Sequence, residues 1–111
     1  MSHQLHHAES ERNEIILARV EELGGGSVWD ADVFAVTLMD VAVTDSDAMS
    51  LAGLVGIQQI ALDCSRLSIS TLRSIAAIRG LQSLVLCNPV FAAEDLLALQ
   101  AVGPEVQVVA E

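Results

Sequence analysis

The sequence predicts an α/β fold: a short right-handed β-α superhelix with a parallel sheet, helices on its convex side and a capping helix at its N-terminus. Three observations predict it. The chain repeats a 24-residue pattern of apolar residues without a gap. Within each unit the apolar positions first alternate and then recur at helical spacing. Hydrophobic residues make up 52% of the chain and charged residues only 18%, which indicates an ordered core.

The strand half of each unit follows from the alignment of the repeats. Taking Val33, Ile57, Leu81 and Glu105 as equivalent first positions sets each unit 24 residues after the last. The fourth and sixth positions are then apolar in every unit, as in a strand: Val36, Ile60, Leu84 and Val108, and Leu38, Leu62, Leu86 and Ala110. The predicted repeats are 33–56, 57–80 and 81–104, with a partial repeat at 105–111.

The second half of each unit predicts a helix. Its apolar residues recur at a spacing of three: Ala48, Leu51 and Leu54, then Leu72, Ile75 and Ile78, then Leu96, Leu99 and Val102. Thr44 and Ser68 can cap the first turn, whereas the equivalent residue of the third unit is Ala92. Gly56 and Gly80 suit the left-handed residue that follows a helix. One unit is therefore a strand, a turn, a helix and a turn.

The residues before Val33 predict a cap. We expect residues 1–8 to be a disordered tail, residues 9–32 to be a capping helix with a linker, and residues 33–111 to be the repeat domain. Ile16, Val20 and Leu23 lie on one side of the predicted helix. Three glycines at 24–26 end it, and the segment 27–30 can add an irregular strand.

The strand motif identifies a resemblance. The segments Ile57-x-x-Ile60-x-Leu62 and Leu81-x-x-Leu84-x-Leu86 resemble the leucine-rich-repeat signature, and the turn at 43–45, Val-Thr-Asp, resembles that of helix-bearing bacterial repeats with ribonuclease-inhibitor-like curvature. The resemblance covers residues 33–111 and implies a short solenoid that binds proteins, with no family-wide catalytic residues. The sequence departs from the signature at Val41 and Ser65, where an Asn or Cys is expected.

The negative charge of the chain argues against two classes of partner, nucleic acids and membranes. With a net charge of -10, no Lys and five Arg, the protein repels a phosphate backbone and an anionic bilayer, so neither nucleic acid nor a membrane is expected as a partner. The N-terminal stretch has no apolar signal segment, and no run approaches a membrane span in length. A cytoplasmic location is the simplest expectation.

The predicted concave face of the sheet is the candidate binding surface for a protein partner. It is small, mostly neutral and partly apolar, which suits docking better than catalysis. The candidate partner-binding residues are Phe34, Thr37, Met39, Gln58, Gln59, Asp63, Gln82 and Val85. The last strand ends the sheet with an unpaired apolar edge, so we also expect homodimer formation through Val106, Val108 and Val109.

Enzyme chemistry is not expected. The histidines His3, His6 and His7 all lie in the predicted tail, which leaves no imidazole base in the folded body, and we expect no metal and no cofactor. Cys64 and Cys87 lie in adjacent units, close enough for a bond to be conceivable, but free thiols are favoured in the cytoplasm.

A second resemblance supplies an alternative. The segment 60–65 followed by 68–72 resembles the strand and phosphorylatable turn of anti-sigma-factor antagonist (STAS) domains. That family implies a regulatory switch with Ser70 or Thr71 as the phosphorylated residue at a helix start. It also implies a mixed sheet with a shuffled strand order, whereas the repeat predicts parallel strands in sequence order.

Overall fold

The computed structural model describes residues 3–30, 33–87 and 92–109 of the chain. It is an α/β structure in which a helix and two consecutive strands are followed by alternating helices and strands. The helices are α1 (His3–Glu22), α2 (Asp45–Met49), α3 (Ile69–Ala76) and α4 (Ala93–Gln100). The strands are β1 (Gly26–Asp30), β2 (Val33–Ala42), β3 (Gln59–Asp63), β4 (Ser83–Cys87) and β5 (Glu105–Val109). A 3-10 turn, Ser50–Gly53, follows α2 directly, so the first repeat holds a short, broken helix.

The five strands form one sheet in sequence order, and it is not closed into a barrel. Strands β2 to β5 run parallel, while β1 pairs antiparallel with β2. Val36 lies beside Ile60 and Ile60 beside Leu84, which are the fourth positions of successive repeats. The 24-residue period is thus confirmed as the strand register from β2 to β4. A register irregularity between Leu38 and Ala42 is the only interruption within these described pairs.

The register of β5 differs from the prediction. Leu84 pairs with Val106, 22 residues later, and not with Val108. The cause is the link between helix and strand, which has six residues after α3 (77–82) but only four after α4 (101–104). Val108 therefore pairs with Leu86, in the row assigned from the sequence to Ala110, which lies outside the described residues. The assignment of Val108 to the fourth position is wrong by two residues.

The hydrophobic core lies between one face of the sheet and the helices. Side chains of a strand alternate between faces, and the core-facing residues with described burial are all buried: Phe34, Val36 and Leu38 of β2, Ile60 and Leu62 of β3, and Leu84 and Leu86 of β4. These residues form one cluster with Ile16 and Val20 of α1 and with the buried positions of the later helices: Ala48, Leu51, Leu72, Ile75 and Leu99. The helical stripe predicted from the sequence is thus the side that meets the sheet. Its last member, Val102, is exposed instead.

The ends of the helices match the residues that the sequence places there. The Thr44 and Ser68 hydroxyls accept hydrogen bonds from the backbone N–H groups of Asp47 and Thr71, both at 3.3 Å. Ala92 has the extended backbone of a capping residue but no side-chain acceptor. Gly56 and Gly80 have φ angles of +83° and +85°, so each takes the left-handed conformation expected of it.

The N-terminal segment packs as a cap over the first repeat. Ile16 and Val20 are buried, as predicted, and Leu23 packs against the core. Helix α1 begins at His3, so it includes residues 3–8, which the sequence analysis assigns to a disordered tail. The irregular strand expected at 27–30 is β1, which extends the sheet. The predicted linker is thus partly a strand of the fold.

The caps provide a test of local stability. Ser68→Ala removes the acceptor for the Thr71 N–H, and we expect the free energy of unfolding to fall by about 1 kcal/mol. Ala92→Ser supplies the missing acceptor at α4, and we expect a rise of up to about 1 kcal/mol. Urea unfolding of each variant measures both changes.

Ser70→Ala is the matched control, since Ser70 is an exposed serine in the first turn of the same helix. We expect it to change the free energy of unfolding by less than about 0.5 kcal/mol. Equal effects of Ser68→Ala and Ser70→Ala would contradict the capping role of Ser68.

Candidate functional site

The sheet face opposite the helices is the candidate site. We call it the outer sheet face. Because strand side chains alternate, it is formed by the residues between the buried core positions. Its described side chains are those of Val28, Val33, Ala35, Thr37, Met39, Gln59, Ala61, Asp63, Ser83, Val85, Cys87, Glu105, Gln107 and Val109.

The strand register sets these side chains in rows across the sheet. One row has polar residues where β3, β4 and β5 begin, Gln59, Ser83 and Glu105, and continues through the apolar residues Ala35 of β2 and Val28 of β1. The next row is Thr37, Ala61, Val85 and Gln107, with two small or branched apolar side chains in its centre. Ala61 and Val85 are buried although they belong to this face and not to the core cluster. The centre of the outer sheet face is therefore shallow and apolar, with polar residues along the edge where β3, β4 and β5 begin.

The predicted partner-binding residues divide into exposed and buried ones. Thr37, Met39 and Gln59 are exposed on the outer sheet face. Asp63 is half-buried there, and Val85 is buried, so Val85 offers little area to a partner. On the outer sheet face, a partner can therefore contact mainly the exposed predicted residues: Thr37, Met39 and Gln59.

Phe34 does not belong to the binding surface, and its assignment there is wrong. It is only 3% exposed and lies in the core cluster. The reason is the alternation of the strand, since Phe34 is two residues before the core residue Val36 and shares its face. Gln58 and Gln82, the equivalent residues, precede β3 and β4. The backbone N–H of Gln82 donates to the Gln58 carbonyl at 2.8 Å, so both residues lie at the edge where these strands begin.

Charge on the outer sheet face is sparse and of one sign. Its described charged residues are Asp63 and Glu105. One Asp63 carboxylate oxygen accepts hydrogen bonds from the Ser65 N–H at 2.9 Å and the Ser65 hydroxyl at 2.6 Å, which holds it toward the turn after β3. A ligand of this face is thus expected to be neutral or basic.

A ladder of polar side chains connects the end of α1 to the starts of α2 and α3. Arg19 donates to the Asp47 carboxylate at 3.0 Å and to Glu22 at 3.2 Å, which ties α1 to α2 and raises the pKa of Arg19. Asp45 accepts from the Ser68 N–H at 2.8 Å, which ties α2 to α3. That bond, together with one from the Thr71 side chain, holds the pKa of Asp45 below its usual range. The ladder is a structural link between repeats.

The two alternative phosphorylation sites, Ser70 and Thr71, lie in the helix α3 that this ladder joins to α2. Thr71 is buried, and its hydroxyl accepts from the Ser68 hydroxyl at 3.1 Å, so a kinase cannot reach it in the folded chain. Ser70 is exposed. The sheet, however, has its described strands in sequence order, which contradicts the shuffled order expected of a STAS domain. The strand order of the described sheet therefore does not support a phosphorylated switch of the STAS type.

Both cysteines are buried, and they do not form a disulfide bond with each other. The Cys64 thiol lies in the core and donates to the Leu62 carbonyl at 3.6 Å. Burial, with the nearby Asp63 charge and Cys87, raises the pKa of Cys64 to about 12. Since the thiolate is the nucleophile, Cys64 is unreactive at neutral pH.

The β5 edge has both buried and exposed valines. β5 is the last strand of the sheet and pairs with β4 on one side. Val106 belongs to the core, whereas Val108 and Val109 are exposed. Val108 lies on the same side of the strand as Val106, so it is a core-facing residue that the described chain leaves 46% exposed.

The described residues contain no group of three or more His, Cys, Asp or Glu side chains that could hold a metal ion. None of the described helices combines the length and the apolar character needed to cross a membrane. No protein-family model, curated protein or solved structure matches this chain. Arguments about function therefore rest on the geometry of the chain itself.

The raised pKa of Cys64 predicts a loss of stability at high pH. In the unfolded chain the thiol ionises near 9.0, while in the folded chain it stays protonated until about 12. Between these values the unfolded state binds fewer protons, so the free energy of unfolding falls as pH rises. Lys and Tyr are absent from the sequence, so few other groups titrate in this range. Urea unfolding at pH 8, 9, 10 and 11 measures the fall.

Cys64→Ala should flatten this pH dependence, while Ser70→Ala, the control at an exposed residue that does not ionise, should leave it in place. A decline of equal slope in the Cys64→Ala variant would show that another group is responsible.

Proposed function

We propose that the chain is a short leucine-rich-repeat solenoid that acts as a non-catalytic scaffold and binds a protein segment across its outer sheet face. The observation that carries the proposal is the register of β2, β3 and β4. Equivalent residues of successive repeats lie side by side, as the stacking of repeats requires. The helices pack on the other face, so the outer sheet face is available to a ligand.

The character of this face supports a protein partner. Thr37 and Gln59 offer hydrogen bonds, and Met39 offers a flexible apolar side chain that adapts to different surfaces. Asp63 and Glu105 give the rim a negative charge, which favours a neutral or basic segment. The shallow centre at Ala61 and Val85 fits an extended chain lying across the strands better than a small molecule, which needs an enclosing pocket.

Two methionines allow a matched test. Met39 is 38% exposed on the outer sheet face, and Met49 is 44% exposed at the end of α2. We expect Met39→Glu to weaken binding of at least one captured partner by about fivefold or more, the loss of a residue worth over about 1 kcal/mol at an interface. We expect Met49→Glu to leave that binding unchanged. Quantitative affinity purification from the native cell with each bait, followed by titration of the purified partner, measures the difference.

Gln59→Ala serves as a second probe of the same face. If every captured partner binds the wild-type, Met39→Glu and Gln59→Ala chains equally, the outer sheet face is not the binding surface.

Self-association through β5 is a second candidate function, and a specific observation favours it. Antiparallel pairing of two β5 strands centred on Gln107 sets Val106 opposite Val108 of the second copy, which covers the exposed core-facing valines. The same pairing sets Glu105 opposite Val109 of the second copy, so the two Glu105 carboxylates lie at opposite ends and do not repel each other.

Val108→Lys tests the dimer, since a lysine on an edge strand opposes pairing of strands. We expect the wild-type chain to form a dimer at high concentration and Val108→Lys to remain monomeric, as measured by size-exclusion chromatography with light scattering. Val28→Lys is the control, because Val28 is a valine of the opposite edge strand and is 53% exposed. A wild-type chain that stays monomeric, or an equal loss of the dimer in both variants, would overturn pairing through β5.

A further inference from the structure

A cavity separates α1 from the two links that lead into β3 and β4. Its volume is about 480 Å³. It is lined by Arg12 of α1, by residues 52–56 at and after the 3-10 turn, and by Ile78 and Arg79 after α3. The cavity lies at the edge where β3 and β4 begin, away from the outer sheet face, and its role does not depend on the function proposed above.

Two arginines at this cavity have no ionic partner among the described residues. The described ion pairs of the chain both use Arg19, whereas Arg12 and Arg79 are exposed and form no described hydrogen bond or ion pair. Neither compensates the end of a helix. Arg12 lies in the middle of α1, and the basic residue in the last turn of α3 is Arg73. In a chain with fifteen acidic residues, the two arginines bring two positive charges to one cavity, which favours a negatively charged ligand there.

The wall of the cavity is held in place by α1. The Asn13 side-chain amide donates to the Val55 carbonyl and its oxygen accepts from the Val55 N–H, both at 2.9 Å. These bonds use both backbone groups of Val55, in the middle of the lining segment. A Cβ added at Gly53 would lie only 3.1 Å from Cδ1 of Ile16, so the lack of a side chain lets the turn approach the helix closely. The backbone of the lining segment is thus held against α1.

The other lining residues are aliphatic. Ala52 is exposed and Val55 is half-buried, so both offer apolar surface to a ligand, while the buried core residues Leu54 and Ile78 form the floor behind them. Guanidinium groups beside an aliphatic surface match a ligand with a negative head and a short apolar chain. A bare phosphate would meet the arginines but leave the aliphatic part of the cavity unfilled.

We propose that this cavity binds an aliphatic carboxylate, with Arg12 and Arg79 holding the carboxylate and the accessible side chains of Ala52 and Val55 contacting the alkyl group. A free branched-chain acid carries this chemistry, and so does the C-terminal residue of a peptide that ends in leucine. Arginine presents paired N–H donors that match the two oxygens of a carboxylate. The cavity volume is within the range of about 300–1,000 Å³ that is usual for small-ligand sites.

Titration followed by two-dimensional NMR of the ¹⁵N-labelled chain tests the proposal, with 4-methylpentanoate as the probe and about 0.1 M salt to screen the net charge. We expect saturable shifts of the Gly53, Val55 and Gly56 amides. Inorganic phosphate is the first comparison and should bind at least about tenfold more weakly, since it gains no apolar contact. Absence of saturable shifts at these amides, or equal binding of phosphate, would overturn the proposal.

Peptides distinguish the two sources of the ligand. The probes are N-acetyl-Gly-Leu with a free C-terminus and the same peptide with a C-terminal amide. Tighter binding of the free peptide than of 4-methylpentanoate assigns the cavity to a peptide terminus, and the reverse order assigns it to a free acid; both support a carboxylate site. Equal binding of the amide and the free peptide would contradict it.

Arginine variants test the roles of the two side chains. Arg12→Gln and Arg79→Gln should each weaken 4-methylpentanoate by about tenfold, the value of a hydrogen bond to a charged group. Arg73→Gln is the control, because Arg73 is also exposed on α3 but does not line the cavity. We expect it to bind within about twofold of wild type, since an exposed charge outside the site acts only through a screened field. Equal losses in all three variants would mean general charge attraction and would end the assignment.

Discussion

The alignment of core-facing aliphatic side chains across neighbouring parallel strands is the constraint on which the rest of the structure depends. Val36, Ile60 and Leu84 form one such row, and each is fully buried. The helices α2, α3 and α4 have only five to eight residues, too short to be stable alone in water. They persist because their apolar sides pack on these rows. The sheet therefore stabilises the helices, and the helices in turn close the core.

Much of this arrangement could be predicted because a sequence repeat predicts the pairing register of the strands as well as their secondary structure. Strand alternation alone says which residues share a face, whereas a fixed period also says which residues lie side by side. The prediction is wrong at β5 since the period assumes equal links, and the link 101–104 is two residues shorter than 77–82. A shift of two residues preserves the face, so Val108 remains core-facing although it occupies a different row. Val108 is exposed because β5 is the last described strand of the sheet, so no further strand packs beside it.

The surface was harder to predict than the core. The sequence places Thr37, Met39 and Gln59 on an exposed face, as observed, because alternation decides it. Phe34 is buried for the same reason, and the alternation could have excluded it from the start. The cavity beside α1 has no such signal. Its framework depends on Asn13 and Val55, which are 42 residues apart in the chain and belong to no motif. Contacts between a cap and a loop have no period, so only the folded chain reveals them.

The two ends of the sheet differ in how well the core is covered. At the N-terminal end, β1 pairs with β2, and α1 covers the first repeat through Ile16, Val20 and the bond of Arg19 to Asp47. At the other end, Val108 is exposed on the side that the core would otherwise bury. A second copy at β5 would extend the core without covering the outer sheet face or the cavity beside α1. A slip of one residue in the register would exchange the buried and exposed faces of a strand. It would alter the outer sheet face, the β5 edge and the cavity beside α1 together. The same alignment that makes the core therefore also fixes which surfaces the chain presents.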